Sequence, residues 1–488
     1  MNKYKELEKH VKKIGILGSI TEVLSWDQEV NMPENASFAR AMEMGTIAEI
    51  SHNLFTSKKI GTLLKTIDQD KLNSHEKANV NEIEFSYKRT KKLPEGLVKE
   101  NAETSVSAME VWRKARKNDD FKSFAPWLKK IIDLNRKKAD FIDSKRDPYE
   151  VIFDDYEKSI SITEVKDFFE RLKTDLIPLI KAINKKKQPD SKLLEKKINP
   201  DLQKKFSIEL AKAIGYDFSK GRLDVSTHPF TACYGRITTR FNEGWLSAIL
   251  STIHESGHGM YEHNLPKKYY GLPMGTARSY SVHESQSRFW ENHIGRSREF
   301  WKFMLPNLRK EYGFKNLDID KFYSLINISK PGFIRVNADE LTYPMHIIIR
   351  FEIEQDLINK KLTVENLPSA WNEKMKKYLG IIPKNNKEGC LQDMHWASGG
   401  LGYFATYALG SMISAQLYKA IAKNDPKLKD KISKGDFSDI HDFLEKNIHS
   451  KGQLYTTKEL IKKATGKDIS PDDYVEYLKE KFSGLYSL

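Results

Sequence analysis

The sequence predicts a mainly α-helical fold, a large helical body carrying one small β-sheet beside a histidine-bearing helix. Apolar residues recur at i, i+3, i+4 and i+7 through 36–66, 74–118, 121–145, 162–185, 201–214, 243–264 and 403–424, the period of one helix face. Alternation of β-branched with polar residues is confined to "GRLDVS" (221–226) and "GRITTRF" (235–241), which places the few strands together. No repeat at solenoid periods and no low-complexity tract interrupts this pattern.

Taken in order, "MNKYKELEKHVKKIGILGSITEVL" at the start has apolar residues at helical spacing. It lacks the continuous apolar run and small-residue cleavage site of a signal peptide. Pro and charge interrupt the periodicity at "SKRDPYEV" (144–151), "KKKQPDSK" (185–192) and "KNDPKLKDK" (423–431), which read as short linkers. The first two are the expected boundaries between two helical lobes. No window approaches 18 consecutive apolar residues, so no membrane partner is expected. Cys233 and Cys390 are the two cysteines of 488 residues; this usage excludes a disulfide scaffold and fits a reducing cytoplasm. Lys plus Arg number 81 against 67 acidic residues, a formal charge of +14. The lysines lie in short runs beside Asp or Glu with no nucleic-acid motif, so they read as solvated helix faces and no nucleic-acid partner is expected.

Chemistry concentrates in "TIHESGHGMYEHNL" (252–265). A helix over 243–264, capped by Asn242, buries Trp245, Leu246, Ile249, Leu250 and Ile253 on one face. His254 and His258, four apart, project together with a rise of ~6 Å, which two imidazoles can close onto one ion. Glu255, one residue round, falls beside such an ion, where it can deprotonate metal-bound water. The competing reading is a pair of surface histidines on a buried helix. A single zinc needs a third protein ligand and an open position. Glu262 lies ~12 Å along the axis from His254, too far to share an ion. Tyr261 and Asn264 stand where the longer histidine motif needs Gly and His. The third donor is therefore sought in a second helix opened by "SVHESQSRFWENHIG" (281–295), which offers Glu284 and Glu291 two turns apart. Glu284 is preferred, with His283 and Gln286 as supporting neighbours.

With "HPF" (228–230) before this helix and "IRVNAD" (334–339) and "GCLQDMHW" (389–396) after it, the chain resembles the carboxypeptidase Taq family of metallocarboxypeptidases. The likeness extends through "WDQEVNMP" (26–33), "GRLDVSTHPF" (221–230), "SQSRFWENHIGRS" (285–297), "GYFATYALG" (402–410) and "LYTTKELIKKATG" (454–466). It implies a single catalytic unit over 1–488 with a deep groove, similar in plan to neurolysin and the angiotensin-converting enzymes. It also implies a homodimer acting on peptides, with one zinc, or alternatively cobalt, per chain. Carried over by position, His254, His258 and Glu284 become metal ligands and Glu255 the general base. Arg335 becomes the clamp for a C-terminal carboxylate, and His395, Arg236, His228 and Tyr403 become substrate-side residues.

A planar guanidinium matches a carboxylate in two hydrogen bonds, which independently suits Arg335 to an exopeptidase. Its structural alternative is a pair with Asp339 one turn on. Tyr403 and Tyr407 are core aromatics or oxyanion donors. One departure stands out: the family's D-x-R-x-T is Tyr234, Gly235, Arg236, Ile237, Thr238 here, as though the connection from "HPF" were shortened. The expected activity is release of single residues from peptide C-termini. The alternatives are an oligopeptidase cutting internal bonds and a catalytically weak peptide-binding relative.

Overall fold

The computed structural model describes residues 2–241 and 243–488, and 69% of the chain is helix against 2% strand. The mainly helical expectation holds. Where a periodic stretch breaks, local chemistry explains the break. The stretch 36–66 divides into Ser37–Phe55 and Lys58–Thr66, the second opened by the Ser57 hydroxyl accepting from the Ile60 amide. The stretch 74–118 divides into Ser74–Lys92 and Glu95–Asn118, because Pro94 has no amide hydrogen and disfavours helical geometry at the residue before it. Phe121–Asp143, Ile162–Asn184, Pro200–Ala213 and Ala405–Asn424 each form as one helix.

Two compact units form. One comprises Met1–Thr90, Asp190–Ile326 and Ser414–Ile469, the other Lys91–Pro189, Asn327–Ile413 and Ser470–Leu488. One division falls inside 185–192, whereas 144–151 lies within the second unit. There the Asp147 carboxylate accepts from the amides of Tyr149 and Glu150 and starts helix Pro148–Phe153, so this Pro-bearing stretch opens a helix. The stretch 423–431 likewise leads into helix Leu428–Ser433 of the first unit. Among the described residues, no helix is long and apolar enough to cross a membrane.

In the first unit, Tyr4, Leu7 and Val11 of helix Lys3–Val30 pack with Ile60, Leu63, Val80 and Leu272. Asn79 fixes this contact by donating to the Tyr4 hydroxyl and accepting from the Met274 amide, both at 3.0 Å. The sheet consists of β1 (Leu223–Val225), β2 (Thr231–Ala232) and β3 (Arg236–Thr239) in the order β1-β3-β2. β1 runs parallel to β3 and β2 antiparallel to it, with Thr231 opposite Ile237. Alternation in the sequence finds β1 and β3, but two residues are too few to reveal β2. Between β2 and β3, Cys233, Tyr234 and Gly235 have φ of 39°, 57° and 74°, a conformation costing about 1–2 kcal/mol for a residue with a side chain. A Cβ at Gly235 would lie 2.6 Å from the Gly259 carbonyl oxygen, so this turn is pressed against the histidine-bearing helix.

The second unit is built around helix Tyr343–Ile358, whose Phe351 meets Phe169 and Tyr149 edge-on with ring centroids 4.8 and 5.7 Å away. The buried Glu354 carboxyl accepts from the Tyr149 hydroxyl, Trp396 Nε1 and the Gly402 amide at 2.8, 2.7 and 3.0 Å. Its acceptor capacity is therefore satisfied inside the core.

Candidate metal centre

The histidine-bearing helix spans Trp245–Asn264, with Gly244 at its N-cap at φ 109°; Asn242, the expected cap, lies outside the described residues. Trp245 packs against Tyr312, Phe314 and Phe322, and its Nε1 donates to the Leu193 carbonyl at 3.1 Å. With Ile249 and Ile253 fully buried, this anchors one face of the helix and fixes where His254 and His258 emerge.

Helix Tyr280–Arg288, opened by the Ser279 hydroxyl, continues as a π-helix over Phe289–Gly295. Its close approach depends on Gly257, where a Cβ would lie 2.7 Å from both the Gln286 oxygen and the Ser287 Cα. Backbone on either side cannot yield cheaply. Gly257→Ala is therefore expected to push the helices apart, destabilising the protein by about 1–3 kcal/mol and weakening metal binding. Thermal unfolding and zinc titration check this; wild-type values in both would show that the gap is adjustable.

Across this contact, Glu284 Oε2 lies 3.8 Å from His254 Nε2 and 3.6 Å from His258 Nε2, and the three donor atoms all fall within 4.8 Å of one another. These separations are too long for hydrogen bonds. They approach the ~3.4 Å expected between donors sharing a four-coordinate ion at ~2.0–2.1 Å. On its far side, His254 Nδ1 lies 2.8 Å from Glu291 Oε2. Glu291, the alternative third donor, thus sits where a carboxylate orients a ligating imidazole. His283 stacks on His258 with centroids 4.5 Å apart, and its Nε2 meets Glu262 Oε1 at 2.8 Å. Gln286 is directed to His449 Nε2 at 2.9 Å.

The electrostatics suit a cation. Burial, reinforced by His283, pushes His258 down to about 3, leaving a neutral imidazole with a lone pair to share. Burial alone would raise Glu284, but Arg288 and His254 outweigh it and hold the carboxyl at about 2. Two imidazoles and an ionised carboxylate form a donor set for a borderline divalent ion. Beside them Glu255, 6% exposed, accepts from the Thr231 hydroxyl at 2.6 Å. Burial raises this carboxyl above its ordinary value, while His254 and Thr231 pull it partly back.

The remaining candidates divide between the sheet and the second unit. His228 is exposed between β1 and β2, its carbonyl accepting from the Ser226 hydroxyl at 2.6 Å. Arg236 lies 4.4 Å over the Trp26 ring. In the second unit, Arg335, His395 and Tyr403 come together. Tyr403 stacks on His395 with centroids 5.4 Å apart, His395 Nε2 is 3.4 Å from the Tyr407 hydroxyl, and the Arg335 guanidinium lies 5.2 Å over the Tyr407 ring. Arg335 does not pair with Asp339. Its Nε and Nη2 donate to Asp393 Oδ1 at 3.1 and 2.8 Å, and its amide donates to Gln392 Oε1 at 2.7 Å. Asp339 instead accepts from the amides of Leu341 and Thr342. Thr231, Arg288 and Asp393 escaped the sequence reading. Arg288 left a signal in the i, i+4, i+7 stripe of Glu284, Arg288 and Glu291, and Asp393 stands inside the "GCLQDMHW" stretch without a role of its own.

A helical body presenting two imidazoles, a carboxylate and a shielded second glutamate is the class of site that metal-dependent peptidases use. The model of the carboxypeptidase Taq (M32) metallopeptidase family matches residues 6–482. The chain is 37% identical to thermostable carboxypeptidase 1 of Pyrococcus furiosus, over 98% of each chain. It is 36% identical to carboxypeptidase 1 of Bacillus subtilis, over 99% of each. The crystal structure of an M32 carboxypeptidase from Deinococcus radiodurans superposes with a TM-score of 0.96, at 32% identity over 100% of both chains. The chain therefore belongs to the carboxypeptidase Taq (M32) metallopeptidase family and is a metallocarboxypeptidase, a peptide hydrolase.

Proposed function

We propose that this protein removes single residues from peptide C-termini in the cytoplasm, as a homodimer holding one divalent ion per chain, zinc or alternatively cobalt, on His254, His258 and Glu284. The main support is the convergence of three donor atoms within 4.8 Å next to a buried glutamate that is not one of them. When bound, the ion supplies Lewis acidity to the scissile carbonyl and acidifies water. Glu255 takes the proton from the attacking water and returns it to the leaving amine, its carboxylate steadied by Thr231. Glu291 holds the far nitrogen of His254 and so fixes the ring.

Arg335 reads the terminal carboxylate. Asp393 occupies its Nε–Nη2 edge, so the Nη1 side, with a long 3.4 Å contact to the Tyr343 hydroxyl, is the edge offered to substrate. His395 and Tyr403 supply polar ring contacts to the bound peptide. On the sheet, His228 and Arg236 are the corresponding candidates, Arg236 with the competing task of covering Trp26.

The test is mass analysis of one peptide, as free acid and as amide, incubated with metal-loaded protein. The free acid should yield a ladder from its C-terminus and the amide should be spared. Internal fragments from both would favour an oligopeptidase, and no metal-dependent turnover would leave a peptide-binding relative.

A further inference from the structure

A single guanidinium, that of Arg288, bonds two carboxylates of the cluster at once. Arg288 Nε donates to Glu284 Oε1 at 2.7 Å, and its Nη1 donates to Glu291 Oε2 at 3.2 Å. Both carboxylates face the same histidine: Glu284 Oε2 lies 3.8 Å from His254 Nε2, and Glu291 Oε2 lies 2.8 Å from His254 Nδ1. Arg296 closes the far side, its Nη2 lying 3.4 Å from Glu291 Oε1. An ordinary i, i+4 pair on a helix surface is solvated and contributes little. This one differs in kind: the Arg288 side chain is 13% exposed, Glu284 7% and Glu291 11%.

The arrangement divides the labour between the two oxygens of Glu284. Oε1 is held by Arg288, while Oε2 points at both imidazoles. A carboxylate free on both oxygens can swing to chelate an ion, whereas turning Glu284 Oε1 to the ion would cost its charge-assisted bond from Arg288 Nε, which favours Oε2 as the donor. Resting on the metal site proposed above, we infer that Arg288 is a positioning residue that commits Glu284 to a single donor oxygen and locks that choice to the orientation of His254 through Glu291. It thereby preserves the open coordination that a hydrolytic ion needs.

The test uses the full-length protein and Zn²⁺ or Co²⁺ alone. In Arg288→Gln, the zinc dissociation constant from chelator competition should rise about 10- to 100-fold, the usual effect of removing a group that orients a ligand. The visible spectrum of the Co²⁺-loaded variant should also change as Glu284 turns its second oxygen to the ion. Wild-type affinity with a wild-type spectrum would overturn the inference. Should Arg288→Gln fail to fold, Arg288→Lys carries the test: an ammonium keeps the charge without the fork, so a smaller rise is expected and unaltered affinity and spectrum would be contrary. If wild-type protein binds zinc no more tightly than His254→Ala, the metal site itself fails and the role of Arg288 falls with it.

Discussion

Glu255→Gln is expected to keep its metal and lose about 10²- to 10⁴-fold in kcat. Glutamine has nearly the same shape, and its amide oxygen can still accept from the Thr231 hydroxyl that now lies 2.6 Å from the carboxylate. The buried pocket is thus preserved, while the group that can carry a proton is gone. Because Glu255 is not among the three converging donors, zinc content should stay at the wild-type level. KM should move little, since the lost interaction belongs to proton transfer. Near-normal turnover in a metal-loaded, folded variant would end the general-base assignment.

Asp393→Asn is expected to destabilise the protein by about 3–5 kcal/mol, the range for removing one partner of a buried charge pair. Asp393 serves two guanidiniums: Arg335 on Oδ1, and Arg350, whose Nε donates to Oδ2 at 2.6 Å. Arg350 is fully buried, and its Nη1 donates to the His346 carbonyl at 2.7 Å, so its charge has no route to water. Burial alone would raise the Asp393 carboxyl, but Arg335 and Arg350 outweigh it and hold it far below the usual range. A carboxyl whose folded pKa is depressed contributes stability that is complete above its unfolded value of about 4 and is lost as the pH falls below it. Thermal unfolding between about pH 5 and pH 3 should therefore show a steeper loss in wild type than in Asp393→Asn. Parallel curves, or a variant as stable as wild type at neutral pH, would show that this aspartate is not the anchor of the two arginines.

What the sequence displays follows from how each feature is encoded. The helix of His254 and His258 is legible because its apolar face and its histidines obey one period, and Glu284 because a second helix must deliver the missing donor. Thr231 is hidden on a two-residue strand whose partner is set by tertiary packing. Asp393 is hidden because its partner Arg335 is remote in the chain, while the nearer Asp339 looks equally suitable until its oxygens are seen on the amides of Leu341 and Thr342. The π-turns after Arg288 leave no periodic trace, although the polar stripe they prolong does. Gly257 is visible as a letter, but its reason, the Gln286 and Ser287 backbone 2.7 Å from where a Cβ would stand, exists only in the fold.

Zinc occupancy of Glu284→Ala measures the third donor directly. Elemental analysis of that variant, purified beside wild type and Glu255→Gln, should find about one zinc per chain in the latter two and little in Glu284→Ala, with activity lost in step. Full occupancy in Glu284→Ala would contradict the assignment and move the third ligand to Glu291, which would then have to leave the Nδ1 of His254 to reach the ion.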